Sequence, residues 1–311
     1  MTDIKRAYLA LGAICVIWGT TYTAIKYALA DFPPFLLVGL RQSMAGLLLL
    51  ILALYRRKAA WPGWSYIWKQ SITGIATITG GNGFITWGVQ FVSTGLAALI
   101  GSLTPVMVVI ITLLWKGTDK VTPRILLGVA MGFGGLALIF NHGWADFIRP
   151  EYRWGIAACF LSCFTWSLGT VMAKRWNSPD ISPLFNAGIQ IFAGGLGGFV
   201  LSLFFDHDKT VHHSLAGWAS LIYLILIGSA LAFTFYMFAL KHLSASVSSM
   251  YTYINPIVAI LLGWLLLGEE LTIWTGIGMS ITIFGVWLVN SAALRNYRQM
   301  KKLQKANRLN A

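Results

Sequence analysis

Arg41 is the side chain in this sequence with the clearest capacity for chemistry, because it is a charged group inside an apolar run. It follows PFLLVGL and precedes Gln42, about two helical turns into that run. A guanidinium in such a place suits a carboxylate or a phosphate, which it can hold through two parallel hydrogen bonds. A structural bond to a carbonyl of a neighbouring helix is an equal alternative. Gln190 stands at the matching place of a similar run, which predicts an inward-facing pair of polar donors.

Aromatic rings and amides are the next candidates, since rings stack on apolar or cationic solutes and amides hydrogen-bond polar ones. Trp18 and Trp166 stand out because both lie in the middle of apolar runs, away from the ends where tryptophan collects in membrane proteins. Packing between helices is the alternative for every ring. With Arg41, the predicted solute-binding residues are Trp18, Tyr22, Gln42, Asn82, Trp87, Trp166, Gln190, Tyr236 and Tyr253, and Tyr251 is a further ring that could wall a cavity.

The sequence does not indicate the chemistry of an enzyme. All ten carboxylates lie outside the apolar runs or at their ends, and the five histidines lie near connecting segments. Cys15, Cys159 and Cys163 form no CxxC pair, and Walker, HExxH and GxSxG motifs are absent. We therefore expect no catalytic residue, metal or cofactor, and no proton coupling through a carboxylate within the membrane.

The composition places these side chains in a membrane protein. The chain has 311 residues, of which 57% are hydrophobic and 11% charged, whereas a soluble domain carries about 25% charged residues. Apolar stretches of about 20 residues, the length that crosses a bilayer as a helix, recur throughout. We predict an all-α integral membrane protein with ten transmembrane helices, at residues 6–29, 34–54, 69–90, 94–115, 124–140, 153–174, 182–205, 215–239, 244–266 and 272–292.

The distribution of basic residues predicts the orientation. The net charge is +13, but most lysines and arginines lie in short loops and in the C-terminal tail, which does not indicate nucleic-acid binding. If the N-terminus is cytoplasmic, they concentrate on the cytoplasmic side, so we predict that both termini are cytoplasmic. Lys26 is an exception in the outer half of the first span, where snorkelling to the headgroups is the favoured explanation.

An internal repeat organises the chain. WGTTYTAIK at 18–26 aligns with WSLGTVMAK at 166–174, and STGLAALIGSLTP at 93–105 aligns with SASVSSMYTYINP at 244–256. Five spans in each copy, an odd number, require the second copy to be inverted, as in alternating-access carriers that bind solute between their halves. The predicted domains are a first repeat (1–145), a second repeat (150–292) and a basic cytoplasmic tail (293–311).

Two prolines occupy matching places in the fourth and ninth spans. Pro105 and Pro256 interrupt apolar runs, where proline costs a helix interior about 3 kcal/mol. We predict that both prolines kink or break their helices. The kinks would serve either as a hinge or gate, or only for packing between helices. Thr104 and Asn255, which precede them, could bond the carbonyls that the kinks free.

These motifs resemble the EamA type of the drug/metabolite transporter superfamily over nearly the whole chain. The resemblance is carried by WGTTY, by STGLAALIGSLTPVMVVIITLLWKG and by SASVSSMYTYINPIVAILLGWLLLGEEL with its glycine-spaced final helix. The first copy departs from the family with WKGTDK in place of a GE pair. The resemblance implies two inverted five-helix halves in the plasma (inner) membrane and export or exchange of small metabolites.

The function expected from the sequence is therefore that of a secondary transporter. Amino acids or amphipathic drug-like compounds are the expected solutes, and a lipid or polyprenyl-phosphate flippase is the alternative. The expected partners are the small-molecule solute and the lipid bilayer, without nucleic acid. The oligomeric state stays open, and a monomer would suffice.

Overall fold

The computed structural model describes residues 3–55, 62–92, 94–115, 121–140, 149–206, 210–267 and 272–309, and all the regular structure in these ranges is helical. The expectation of an all-helical chain is confirmed for them. Seven segments are long and apolar enough to cross a membrane: Asp3–Ala28, Pro34–Tyr55, Leu96–Leu114, Pro150–Arg175, Pro183–Phe205, Leu215–His242 and Ile273–Ala292.

Fourteen α-helices and two π-helical segments, π1 and π2, make up most of this structure. In chain order they are α1 (Asp3–Ala28), α2 (Pro34–Tyr55), α3 (Trp64–Gly74), π1 (Ile75–Gly83), α4 (Phe84–Gly88), α5 (Thr94–Gly101), α6 (Thr104–Leu114), α7 (Pro123–Ile139), α8 (Arg153–Arg175), α9 (Pro183–Phe205), α10 (Leu215–Tyr223), π2 (Leu224–Leu231), α11 (Ala232–His242), α12 (Ala245–Ser248), α13 (Tyr251–Leu267) and α14 (Ile273–Leu309). The predicted tail continues the last helix, since α14 extends past the predicted end at residue 292.

The two π-helical segments occupy matching places in the two predicted repeats. Each lies inside a continuous helical run, α3–π1–α4 or α10–π2–α11, and the second begins 149 residues after the first. A π-helical turn is rare and is frequently found at functional sites. Both segments contain glycine (GGNG and GSAL), so the neighbouring helices can approach them closely.

The predicted fourth and ninth spans are both interrupted, but their prolines differ in position. Between α5 and α6 the helix is broken at residues 102–103, and Pro105 lies in the first turn of α6, where its missing N–H costs no bond. Between α12 and α13 the break is at residues 249–250, and Pro256 lies inside α13. Only in the first repeat, therefore, does the proline lie at the break itself.

The residues before the prolines bond nearby carbonyls. Thr104 Oγ1 donates to the carbonyl of Gly101 at 2.7 Å, at the end of α5. With its amide turned so that nitrogen faces acceptors, Asn255 Nδ2 lies 3.0 Å from the carbonyls of Cys15 and Tyr251. Asn255 thus connects α13 to α1 as well as to its own helix.

Matching helices of the two predicted repeats pack against each other in antiparallel pairs. In the α2–α9 pair, Gly39 faces Phe199 and Gly46 faces Phe192, so that residue numbers rise along one helix as they fall along the other. In the α7–α14 pair, glycines of one helix touch the backbone of the other, as Gly128 does at Gly285. Small residues permit this close approach, which supplies the packing energy that helices in lipid depend on.

The first helix of each predicted repeat packs against helices of the other. Helix α1 contacts α10, π2, α11 and α13, and helix α8 contacts α3, π1, α4, α5 and α6. This exchange brings α1 and α8 together at the centre, beside both π-helical segments and both broken spans.

Candidate functional site

A central cavity of about 140 Å³ lies where α1, α2, α8, α13 and both π-helical segments meet. Its walls come from both predicted repeats and combine aromatic, amide, hydroxyl and guanidinium groups. The lining residues are Trp18, Thr21, Ile25, Arg41, Gln42, Gly81, Asn82, Ile85, Ala97, Ala98, Gly101, Thr104, Ser162, Cys163, Trp166, Gly228, Ser229, Phe233, Tyr251, Thr252, Asn255 and Pro256.

The structure brings eight of the predicted binding and hinge residues to this cavity, and the further ring Tyr251 joins them. The eight are Trp18, Arg41, Gln42, Asn82, Thr104, Trp166, Asn255 and Pro256. The cavity lining does not include Trp87, Pro105, Gln190, Tyr236 or Tyr253. The side chain of Tyr22 lies outside those that the structure describes.

The aromatic wall is a cluster of rings in edge-to-face contact. The ring centroid of Trp18 lies 5.7 Å from that of Trp166 and 4.5 Å from that of Tyr251, and Trp166 lies 6.4 Å from Phe233. Tyr236 stands behind them, within 6.0 Å of both tryptophans. Such contacts fix each ring and leave a rigid apolar surface on the cavity side.

Two side-chain donors tie α1 and α8 to the π-helical segments. Trp18 Nε1 donates to the carbonyl of Gly228 in π2 at 3.0 Å, and Ser162 Oγ donates to the carbonyl of Gly81 in π1 at 2.6 Å. Gly81 and Ser229 are separated by the same 148 residues as Trp18 and Trp166. The same offset in sequence thus relates both pairs of positions in the site, although the side chains of Gly81 and Ser229 differ.

Arg41 is buried in this wall, with 4% of its surface exposed. Its Nε and Nη1 atoms have no hydrogen-bond partner among the described residues, and none of the described lining residues is acidic. The ion pair that the described chain does contain, between Arg6 and Asp3 at 3.5 Å, lies in the first turns of α1. A buried, unpaired charge is costly, so this arrangement is the strongest electrostatic feature of the site.

Three further lining residues have a buried polar atom without a partner in the described chain. They are Gln42 at Oε1, Trp166 at Nε1 and Ser229 at Oγ. Buried polar groups are nearly always hydrogen-bonded, so a group of such atoms around one cavity identifies the place where a polar ligand would fit. Trp166 differs here from its counterpart Trp18, whose nitrogen is bonded to Gly228.

Of the two polar donors predicted at matching places, Arg41 lines the central cavity and Gln190 does not. Gln190 Nε2 donates to Gln70 Oε1 at 2.6 Å, a bond between α9 and α3. Equivalent places in the repeat therefore diverge, because Gln190 has an amide partner on the adjacent helix and Arg41 has none.

The other predicted rings outside the cavity take packing roles. Tyr253 donates its hydroxyl to the carbonyl of Val129 at 2.9 Å. Trp87 packs against Phe91, and Tyr236 bonds Thr170 through its hydroxyl at 2.6 Å. All three residues therefore contact neighbouring helices or rings without lining the cavity.

Several residues that line the cavity were not predicted from the sequence, although they lie one helical turn from a predicted residue. Thr21 lies one turn after Trp18, and Ser162 one turn before Trp166, so each shares a helix face with a predicted residue. Phe233 likewise lies one turn before Tyr236 in α11. Ser229 had no comparable signal, because it lies within π2, where the helical period differs from that of an α-helix.

A second, larger cavity of about 550 Å³ lies beside α1, α2, α9 and α11. Its hydroxyl groups are already bonded, since Ser182 accepts from the Phe185 N–H and Thr234 donates to the Ala230 carbonyl. With mostly apolar walls, it offers less for recognition than the central cavity. The described residues contain no group of three metal-ligating side chains.

One end of the bundle is closed by lysine and arginine donors. Lys174, at the end of α8, donates through Nζ to the carbonyls of Leu240 and Leu243 at 2.8 and 2.6 Å. Arg175 donates to the carbonyl of Trp115 at 2.8 Å. Lys26, which matches Lys174 in the repeat, is exposed at the end of α1 and has no hydrogen-bond partner in the described chain.

Comparison with known proteins covers nearly the whole chain. The sequence pattern described as "EamA-like transporter family" matches residues 5–141 and 153–291. The "Uncharacterized inner membrane transporter YedA" of Escherichia coli K12 is 30% identical over 283 residues, 90% of this chain and 89% of the relative. The "Uncharacterized transporter YvbV" of Bacillus subtilis 168 is 26% identical over 92% of each chain. A crystal structure of another protein, 20% identical, shares the fold with a TM-score of 0.75 over 93% of this chain and 98% of the other.

Proposed function

The chain belongs to the EamA-like transporter family and is a multi-pass inner membrane transporter, and we propose that it exports or exchanges small metabolites by alternating access. The observation that carries this proposal is the central cavity, which is walled by both halves of the chain. Its unpartnered polar atoms and its aromatic wall offer a binding surface between the two halves, where such carriers bind their solutes.

We propose ten transmembrane helices in two inverted halves, 1–145 and 150–292. Besides the seven apolar segments, the runs α3–π1–α4, α7 and α13 would cross the membrane. The antiparallel pairing of α2 with α9 and of α7 with α14 supports this arrangement, because a two-fold axis in the membrane plane pairs equivalent helices in this way. The exchange of α1 and α8 between the halves supports it as well.

The transport cycle would open the cavity alternately to the two sides. The broken spans α5–α6 and α12–α13 border the cavity and would serve as hinges, with Pro256 preventing one backbone bond in α13. With both termini cytoplasmic, as the basic residues favour, Lys174 closes the cytoplasmic end in this conformation. Ile25, Ile85 and Ala97 would then lie toward the outside.

The proposed carrier works as a facilitator or exchanger. The described carboxylates lie at helix ends and in connections, for example Asp31, whose Oδ2 accepts from the Ser214 N–H, and Asp206, which accepts from the Leu36 N–H at 2.8 Å. Neither lines the central cavity.

Efflux from proteoliposomes tests the proposal. The purified protein is reconstituted with mixed amino acids, nucleosides and small organic acids inside, and efflux is measured with and without a pH gradient. We expect efflux of one class of solute without a gradient. Efflux is also measured from liposomes that contain a Trp18→Ala variant. This variant opens the aromatic wall and is the control for passage of the solute through the cavity. Equal leakage of all solutes, or none, would contradict a carrier.

A further inference from the structure

The central cavity holds a positive charge that the protein does not neutralise. Arg41 is nine-tenths buried or more, and two of its three nitrogens have no partner among the described residues. A guanidinium remains charged in proteins and cannot escape the cost of burial by losing its proton. A bound anion would remove that cost, so the site is prepared for a negatively charged ligand group.

The groups around Arg41 suit a small carboxylate. Trp166 Nε1 is a donor without a partner, and the Ser229 hydroxyl can donate as well. Gln42 Oε1 is an acceptor without a partner and suits an N–H or O–H group elsewhere on the ligand. Since the described lining residues include no acidic side chain, a cationic ligand would meet Arg41 with no compensating charge.

The size of the cavity limits what accompanies the anionic group. A volume of about 140 Å³ is close to that of an engineered cavity, ~150 Å³, which holds one benzene molecule. The rings of Trp18, Trp166 and Phe233 form an apolar wall beside the polar group. A ligand of about six to ten non-hydrogen atoms with an apolar end and an anionic end fits both features.

We infer that the solute of this carrier is a small organic carboxylate, held by Arg41 at its anionic end and by the tryptophan cluster at its apolar end. This inference rests on the proposed function and gives that site its substrate class. It assigns a binding role to Arg41, in place of a structural bond to a neighbouring helix.

Binding of three ligands of one shape tests the inference. The full-length protein is placed in nanodiscs of phosphatidylcholine, and binding of benzoate, benzamide and benzylamine at pH 7 is measured by calorimetry. We expect benzoate to bind at least tenfold more tightly than its neutral and cationic counterparts. Phenyl phosphate is the fourth ligand, because a phosphate could also pair with Arg41; tighter binding of phenyl phosphate than of benzoate would overturn the carboxylate assignment.

The matching variants are Arg41→Gln and Arg153→Gln. Arg153 lies exposed in the first turn of α8, outside the cavity, so its variant makes the same chemical change elsewhere. We expect Arg41→Gln to reduce benzoate affinity at least tenfold and to leave benzamide affinity within threefold, and Arg153→Gln to change neither. A preserved preference for benzoate in Arg41→Gln would overturn the inference, as would equal or undetectable binding of the three ligands to the unaltered protein.

The unaltered protein keeps the test decisive if Arg41→Gln fails to fold, because the comparison of ligands does not need the variant. Failure of the inference also differs from failure of the proposed function. Efflux of neutral or cationic solutes without benzoate binding would overturn the substrate class alone. Benzoate binding that depends on Arg41, without efflux of any solute, would overturn the carrier and retain the site.

Discussion

Single side chains at the centre of this protein are fixed by bonds to backbone carbonyls. Trp18 illustrates the principle, because its indole nitrogen is bonded to Gly228 while its ring touches two other rings of the cavity wall. Its counterpart Trp166 also touches two rings of the cavity wall, those of Trp18 and Phe233, but its indole nitrogen has no such bond in the described chain. One tryptophan is therefore anchored, and the other retains a donor for a ligand.

We predict that Trp18→Phe lowers the free energy of unfolding by about 1 kcal/mol, because the Gly228 carbonyl loses its donor while an aromatic ring is retained. Denaturation of the purified protein in detergent measures this change. Trp274→Phe, on an exposed tryptophan of α14, is the matched control and should leave stability unchanged. Equal effects of the two variants would mean that the bond contributes nothing.

Close contacts at glycines join several helices of this protein. A methyl group on Gly46 would overlap the backbone of Phe192 in the α2–α9 pair, whereas Gly12 in α1 has open space around it. Overpacking costs about 1–3 kcal/mol, and alanine in a helix is favoured over glycine by about 0.5–1 kcal/mol where there is room.

We therefore predict opposite effects of the same substitution at these two glycines. Gly46→Ala should lower the midpoint of thermal unfolding, and Gly12→Ala should raise it slightly. Thermal scans of the two variants beside the unaltered protein measure the difference. A loss of stability in both variants of similar size would show that the contact of α2 with α9 is looser than described.

The broken spans lead to a prediction for the prolines. Pro256→Ala would supply an N–H for the Thr252 carbonyl and straighten α13, so we expect solute exchange to slow by about threefold or more while binding persists. Pro105→Ala changes a first-turn position, and we expect an exchange rate close to that of the unaltered protein. Counterflow in proteoliposomes gives both rates; slower exchange in Pro105→Ala alone would contradict this assignment.

At the scale of the whole molecule, matching lysines of the two predicted repeats make different bonds. Lys174 bonds two carbonyls at the end of α11, while Lys26, its match, makes no such bond. Charge-assisted bonds of this kind contribute about 1.5–3 kcal/mol each. In a carrier with inverted halves, we expect the conformation open to the other side to exchange these roles.

We predict that Lys174→Met and Lys26→Met shift the conformational equilibrium in opposite directions. Cys163 lines the cavity and serves as the reporter, through its labelling rate with a membrane-impermeant thiol reagent added outside. Labelling should slow in Lys174→Met, which weakens the outward-open conformation, and accelerate in Lys26→Met. A Cys163→Ala variant identifies labelling elsewhere. Changes in the same direction would exclude the exchange of roles.

The sequence was sufficient to predict the helical class and many of the residues that line the cavity. The length of an apolar run and the spacing of a repeat each constrain the structure directly. Trp18, Trp166 and Arg41 were predicted because polar or aromatic groups in the middle of an apolar run are exceptions, and all three line the cavity. Gln190 and Tyr253 lie outside the cavity lining and bond neighbouring helices instead, because a repeat gives equivalent places without equivalent neighbours. Ser229 was not predicted as a lining residue because it lies in a π-helical segment. Such a segment changes which residues share a helix face, and the periodicity of α-helices does not predict that change.

The exchange of α1 and α8 has a consequence for biosynthesis. The surface of π1 is covered by α8, a helix that is complete only when the chain has been made as far as Arg175. A domain usually folds as a unit during synthesis, the N-terminal part first. Here the first half is synthesised before the helix that covers the surface of π1. Its final packing therefore requires α8, which belongs to the second half. Neither half, made alone, would have the helix that closes it.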